Sequence, residues 1–281
     1  MQIFTSATQL SAHIKQLTEE TTATIGFVPT MGALHDGHLS LLRQAQQRGN
    51  TTVCSIFVNP TQFNDPADLA KYPRPIAHDL DLLAAADCDI VFLPTVEEIY
   101  PDGTVWANPF VFGQLTTVME GAHRPGHFDG MAQVVKRLLD IVTPHYIYMG
   151  QKDFQQQTVV KSMLQQMKSP CQLVCCPILR EPDGLAMSSR NVRLNADERL
   201  LAPMIYKVLE IAKIQKNICS PVEVRQNALQ NMSQIPHFSI DYLEIVDADT
   251  LLNIQDWTSH QNVLCTTVRL GQIRLLDNII L

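Results

Sequence analysis

Short apolar, β-branched runs alternate with longer stretches of helical period over the first two thirds of the chain. Strand-like runs cover residues 24–28, 51–58 and 89–93, with helical patterns at 36–48 and 75–86 between them. A helical pattern at 130–142 is followed by a strand at 146–149, a helix at 154–167 and a strand at 172–178. This alternation predicts βαβ units and a parallel sheet. Ser55-Ile-Phe-Val and Ile90-Val-Phe-Leu present apolar side chains to both faces, as strands do when crossover helices cover both sides. The expected fold is therefore α/β, a Rossmann-like doubly wound parallel sheet.

Two departures modify that picture. Residues 94–129 are rich in turn formers and isolated charges and read as an excursion over the active face. Beyond Asn195, helical stretches at 196–215 and 221–233 precede strand-like runs at 240–246, 263–269 and 273–280. Helices followed by consecutive strands predict a smaller C-terminal α+β domain, and Leu270-Gly-Gln272 suits a hairpin between the last two strands. The turn Glu181-Pro-Asp-Gly184 places the boundary, giving domains 1–182 and 183–281, the second closing over the site.

Composition narrows the partners. With 21 basic and 28 acidic residues the net charge is −7, which repels a polyanion, so nucleic acid is not an expected partner. A small phosphate ligand needs only two or three placed donors and stays open. The seven scattered cysteines are expected to be reduced, buried thiols, and Cys171, Cys175 and Cys176 lack zinc-knuckle spacing and sit in what reads as a core strand. The first residues do not resemble an export signal and no apolar run approaches the roughly 20 residues of a membrane span. A cytoplasmic protein without a membrane partner is expected.

Three segments carry candidate chemistry, each where a strand or turn is expected to end. The first is Val28-Pro29-Thr30-Met31-Gly32-Ala33-Leu34-His35-Asp36-Gly37-His38. Asp36 is expected to cap the helix that starts here. The amide donors and positive dipole of that helix, with His35 and His38 beside its first turn, suit a phosphate. Two histidines decorating a helix start is the plainer alternative. The second is Gly150-Gln151-Lys152-Asp153, where Lys152 supplies a point charge and Asp153 an acceptor for a ribose hydroxyl, or else a capped helix start with a solvated lysine. The third is Met187-Ser188-Ser189-Arg190, two hydroxyls and a guanidinium fit for leaving pyrophosphate, or a helix cap.

The His-x-Gly-His form resembles the signature of the nucleotidyltransferases that attack the α-phosphate of ATP. The ordered segments Pro29-Thr-Met-Gly, His35-Asp-Gly-His38, Ser55-Ile-Phe-Val-Asn59-Pro-Thr-Gln62-Phe, Tyr72-Pro-Arg, Glu98-Ile-Tyr-Pro101, Glu120-Gly, Arg124-Pro-Gly-His-Phe128, Gly150-Gln-Lys-Asp153-Phe-Gln-Gln156 and Met187-Ser-Ser-Arg-Asn191 are similar to the successive signatures of the pantothenate synthetase family. They span about residues 26–194, and Asp247-Ala-Asp-Thr-Leu251 and Leu276-Asp-Asn278 extend the likeness towards the end. The resemblance implies an AMP-forming ligase that activates pantoate with ATP and Mg2+ and passes the acyl group to β-alanine. It implies an ATP site at Pro29–His38, Gly150–Asp153, Leu179 and Met187–Arg190. His35, His38, Lys152, Ser188, Ser189 and Arg190 would be the catalytic groups, with His38 as proton donor. It puts Gln62 and Gln156 on pantoate with Asn59 near its hydroxyls, and implies a homodimer. Glu120 and Arg124 remain possible site residues or a simple ion pair. Two other readings stay open: a nucleotidyltransferase making a dinucleotide-type product from a phosphorylated substrate, and a nucleotide-binding regulatory module without turnover.

Overall fold

In the computed structural model, which describes residues 1–64 and 66–281, the α/β alternation builds a parallel sheet. Its strands are β1 (Gln2–Phe4), β2 (Ile25–Thr30), β3 (Thr51–Ile56), β4 (Ile90–Phe92), β5 (Tyr146–Gly150) and β6 (Gln172–Cys176), in the order β1-β4-β3-β2-β5-β6. Every pairing in it is parallel. Chain order reverses between β2 and β5, and in open α/β sheets ligands bind beyond the carboxyl ends of the strands at such a switch point. Leu39, Leu41, Leu42 and Ala45 of helix Asp36–Gln47 are buried against Val28, Cys54, Val91 and Tyr148, so the helix that follows β2 is pinned to the sheet.

The chain divides into two compact units. The first comprises Met1–Phe112, Arg124–Gly150 and Val159–Cys176; the second comprises Gly113–His123, Gln151–Thr158 and Pro177–Leu281. The second holds an antiparallel sheet of β7 (Phe238–Asp247), β8 (Asn262–Leu270) and β9 (Ile273–Ile280), with helices Met204–Gln215 and Pro221–Ser233 burying Ile205, Leu209, Val224 and Met232 in one cluster with Leu264 and Leu275 of the sheet. The hairpin after Leu270 forms as expected, Leu270 pairing with Ile273. Gly113–His123 and Gln151–Thr158 join this unit because Leu115, Val118, Met119 and Phe154 pack with Val246, Leu251, Val263 and Cys265. Hydrophobic pattern gives no sign of that grouping.

Several elements differ from the sequence reading. β1 and helix Ala7–Glu20 were not foreseen: β1 is a three-residue edge strand, and the helix buries only Leu10 and Ile14 among its polar residues. Its first turn is held from afar, the Ala7 amide donating to Glu98 Oε2 at 2.8 Å. The helical stretch at 196–215 is two helices, Ala196–Leu201 and Met204–Gln215, parted at Pro203, which has no N–H to continue the ladder. The helix expected from residue 130 begins at His127. β6 is an edge strand rather than a core strand, which leaves Cys175 exposed; Cys219, just before helix Pro221–Ser233, is half-buried, and the other five thiols are buried. None of the seven cysteines is in a disulfide, and burial pushes the Cys88, Cys171 and Cys176 thiols up to about 11, which keeps them protonated.

Candidate active site

β2 ends at Thr30, whose hydroxyl donates to the Ser55 carbonyl (2.6 Å) and accepts from the Gly32 amide (3.2 Å). The chain then turns through Gly32 and Ala33, both at positive φ (78° and 50°), before helix Asp36–Gln47 starts. A side chain at Gly32 would place its Cβ 2.9 Å from Asp79 Oδ2 in addition to the strain of that φ. Asp79, fully buried, accepts from the Ala33 amide (2.9 Å) and the Leu34 amide (2.7 Å), so one carboxylate from helix Ile76–Ala85 holds the loop in shape. Asp79 was not singled out from the sequence, where it is one acid among several on an amphipathic helix.

The cap of helix Asp36–Gln47 is His35 and not Asp36: His35 Nδ1 accepts from the Gly37 amide at 3.1 Å. An accepting Nδ1 puts the ring proton of neutral His35 on Nε2, which makes that atom a donor. The His38 ring lies against it, centroids 4.1 Å apart. Two imidazoles therefore share the N-terminal turn of a helix at the switch point of the sheet, an arrangement that favours an anion.

The next loop is tied to this one. Asn59, which is buried, donates to Gln62 Oε1 and to the Gly130 carbonyl (both 3.1 Å), and its Oδ1 accepts from the Tyr100 hydroxyl (2.8 Å). Both amide hydrogens of Asn59 are used within the protein, so it orients Gln62. Gln62 Nε2 lies 2.9 Å from Met31 Sδ, which brings the loop after β3 against the loop after β2. The Gln62 carbonyl accepts from His127 Nδ1 (2.9 Å). A carbonyl only accepts, so His127 carries its proton on Nδ1, and Nε2 accepts from Arg124 Nη1 at 3.3 Å. Tyr100, His127 and Gly130 thus shape the Gln62 loop, and nothing in local sequence pattern marks them for that task.

The second unit carries the remaining segments. A recess there is lined by Lys152, Ser188, Ala186, Asn191 and Asp277, so the lysine of one segment and a serine of another face one space. Ser188 Oγ accepts from the Arg190 amide (3.3 Å), and the Leu179 carbonyl accepts from the Met187 amide (3.1 Å), which folds Met187–Arg190 back beside Leu179. Gln156 is half-buried in the first turn of helix Phe154–Gln166. Its neighbour Gln155 is structural, accepting from the Glu120 amide (3.0 Å) and donating to the Leu115 and Val118 carbonyls (both 2.9 Å).

Buried Glu120 takes a bidentate ion pair from Arg274 (2.6 and 3.0 Å), and Arg274 also donates to Asp241 (2.7 Å), which accepts from Arg269 (2.9 Å). Desolvation raises the Asp241 pKa, but the bonds from Arg269 and Arg274 outweigh it and hold the carboxyl below its ordinary value. A depressed folded pKa adds stability above the unfolded value of about 4 and loses it as pH falls through the folded one. Asp241→Asn is therefore expected to melt below the parent at pH 6, with the gap closing below about pH 4. Thermal melts across that range check it, and a gap that stays constant refutes it.

The family model of pantoate–β-alanine ligase matches residues 2–280. The chain belongs to the pantoate–β-alanine ligase family. It is accordingly an AMP-forming ligase, making pantothenate from pantoate and β-alanine with ATP through an acyl adenylate. Among similar proteins, the pantothenate synthetase of Porphyromonas gingivalis is 45% identical over 280 residues, covering 99% of each chain. That of Flavobacterium psychrophilum is 44% identical over 281 residues, again 99% of each. A crystal structure of the pantoate–β-alanine ligase from Thermus thermophilus superposes with a TM-score of 0.91 at 40% identity over 99% of both chains. The pantoate–β-alanine ligase from Francisella tularensis, crystallised with a β,γ-ATP compound and β-alanine, gives 0.80 at 33% identity, covering 100% of this chain and 97% of that one.

Proposed function

We propose that the adenylating half of the reaction is carried by the loop Pro29–His38 together with Gly150–Asp153, Leu179 and Met187–Arg190, and that Gln62 and Gln156 orient pantoate. The observation that carries it is the helix start at the end of β2, where His35 caps through Nδ1 and so turns its Nε2 into a donor beside His38. The pantoate carboxylate attacks the α-phosphorus of ATP in line, the bond to the bridging oxygen breaks, and pyrophosphate leaves. The β-alanine amine then attacks the acyl carbon and AMP departs with the electron pair of the broken C–O bond. No protein nucleophile is needed, so the side chains work by position and by charge on the phosphoryl oxygens. His35, His38, Lys152, Ser188, Ser189 and Arg190 supply those donors, His38 the proton.

Mg2+ belongs to this reading as part of the substrate. Among the described residues no three His, Cys, Asp or Glu side chains gather to hold a cation, which suits an ion carried in on the phosphate oxygens as Mg–ATP. A homodimer in the cytoplasm completes the proposal. The product distinguishes it from its alternatives: incubation with ATP, pantoate and β-alanine should yield AMP, pyrophosphate and pantothenate, and turnover only with a nucleotide monophosphate would refute it.

Gln62 separates the two substrates. Its amide, oriented by Asn59, can donate to a carboxylate and accept from a hydroxyl. Gln62→Ala is expected to raise KM for pantoate about tenfold or more while KM for ATP changes little, as for loss of a hydrogen bond to a charged group. Steady-state kinetics with each substrate varied checks this, and equal losses for both would remove Gln62 from the pantoate site.

A further inference from the structure

Two adjacent residues of β9 reach both chain segments that line the recess of the second unit. Asn278, buried, donates from Nδ2 to the carbonyls of Gln151 (2.9 Å) and Lys152 (3.0 Å), and its Oδ1 accepts from Gln151 Nε2 (3.0 Å). Both amide hydrogens are spent on the turn that presents Lys152. Asp277, also buried, takes a bidentate ion pair from Arg180 (2.7 and 2.9 Å). Arg180 also donates to the Gly184 carbonyl (3.1 Å), its guanidinium lies 3.6 Å over the Tyr206 ring, and it forms a bridge with Ala186, the residue before Met187. One rigid strand thus holds the backbone at Lys152 through residue 278 and the turn leading to Ser188 through residue 277. Asp277 lines the recess with Lys152 and Ser188.

The chemistry of these contacts exceeds what a fold needs. An asparagine with both N–H groups on two successive carbonyls fixes the direction of one peptide turn, and any isosteric acid in its place would set oxygen against oxygen. A buried bidentate pair likewise fixes a planar orientation rather than adding much stability. We propose that Asp277 and Asn278 are positioning residues for adenylation, holding Lys152 and Ser188–Arg190 in one register on the triphosphate. This rests on the reading of those residues as nucleotide contacts. A strand anchor is suited to the task because a displacement of about 1 Å at a phosphate donor costs on the order of a hundredfold in rate.

The test uses Asn278→Ala and the isosteric Asn278→Asp, with ATP affinity measured by titration calorimetry and KM determined for each substrate. Both are expected to weaken ATP binding and raise KM for ATP about tenfold or more, Asp beyond Ala, with KM for pantoate and β-alanine within about twofold of the parent. Loss of active fraction in step with thermal stability, with ATP constants unchanged, would reduce Asn278 to a fold residue and overturn the inference. Should neither variant fold, hydrogen–deuterium exchange on the parent decides: ATP is expected to slow exchange in residues 151–154, 179–190 and 276–280 together, and protection that spares 276–280 overturns it. Lys152→Ala separates the two layers. If it leaves ATP affinity at the parent value, the reading of the nucleotide site falls; if it weakens ATP while the Asn278 variants do not, only the present inference falls.

Discussion

His38→Ala is expected to slow pantoate-dependent exchange of pyrophosphate into ATP by about a hundredfold or more, with the protein folded and its melting temperature close to the parent's. The magnitude follows from loss of one placed donor to a developing oxyanion, about 3 kcal/mol of barrier. His38 sits in the first turn of helix Asp36–Gln47, ring against ring with His35, while the apolar grip of that helix comes from Leu39, Leu41, Leu42 and Ala45. Removing the imidazole therefore leaves the helix seated. Lys152→Ala should match it in the exchange assay, since the ammonium acts on the same half-reaction. Hydrolysis or aminolysis of preformed pantoyl adenylate should be far less affected in both variants, because no pyrophosphate leaves in that step. Exchange at the parent rate in either variant would remove that residue from adenylation.

Gly130→Ala is the second large effect, and it acts through the backbone. A Cβ at residue 130 would lie 2.2 Å from the Thr61 carbonyl oxygen and 2.8 Å from the Gln62 amide nitrogen. Neither is the end of a flexible side chain, so the Asn59–Gln62 loop or helix His127–Val142 must move, at a cost of about 1–3 kcal/mol of stability. The Asn59 bond to the Gly130 carbonyl (3.1 Å) and the His127 bond to the Gln62 carbonyl (2.9 Å) would be strained by that movement. A shift of about 1 Å at Gln62 is expected to lower kcat/KM for pantoate about a hundredfold. Activity assays with pantoate varied, beside thermal melts, check both halves. A variant that melts lower but keeps parent kcat/KM for pantoate would show that the loop position does not set substrate affinity.

The legible part of the site was the part whose chemistry is local. A histidine at a strand-to-helix junction, a Gly-x-Lys turn and a Ser-Ser-Arg turn announce phosphate-competent groups by residue type and by their place at the ends of periodic segments. Even there the detail depended on geometry: His35, with a ring nitrogen two residues from the Gly37 amide, displaced Asp36 as the cap. Glu120 takes a bidentate pair from Arg274, 154 residues further along the chain. Charge alone does not say which of several guanidiniums a buried carboxylate meets.

What the sequence by itself determined is the alternation that builds a parallel sheet, the helices followed by strands that make a smaller α+β part, and the phosphate-competent residue types at strand and turn exits. Each is encoded over a span of a few turns or strands, where period and composition act directly. Only the tertiary structure decided which residues hold those groups in place: Asp79 on the loop 46 residues before it, Tyr100 on Asn59 at 41, Asn59 on Gly130 at 71, and Asn278 on Gln151 at 127. Such bonds form between chain segments that meet only once the core has collapsed, and a hydrogen bond carries no periodic signature along the chain. Short segments of mixed polarity, such as β1 and Gly113–His123, are settled the same way, because their place depends on what they pack against rather than on their own preference.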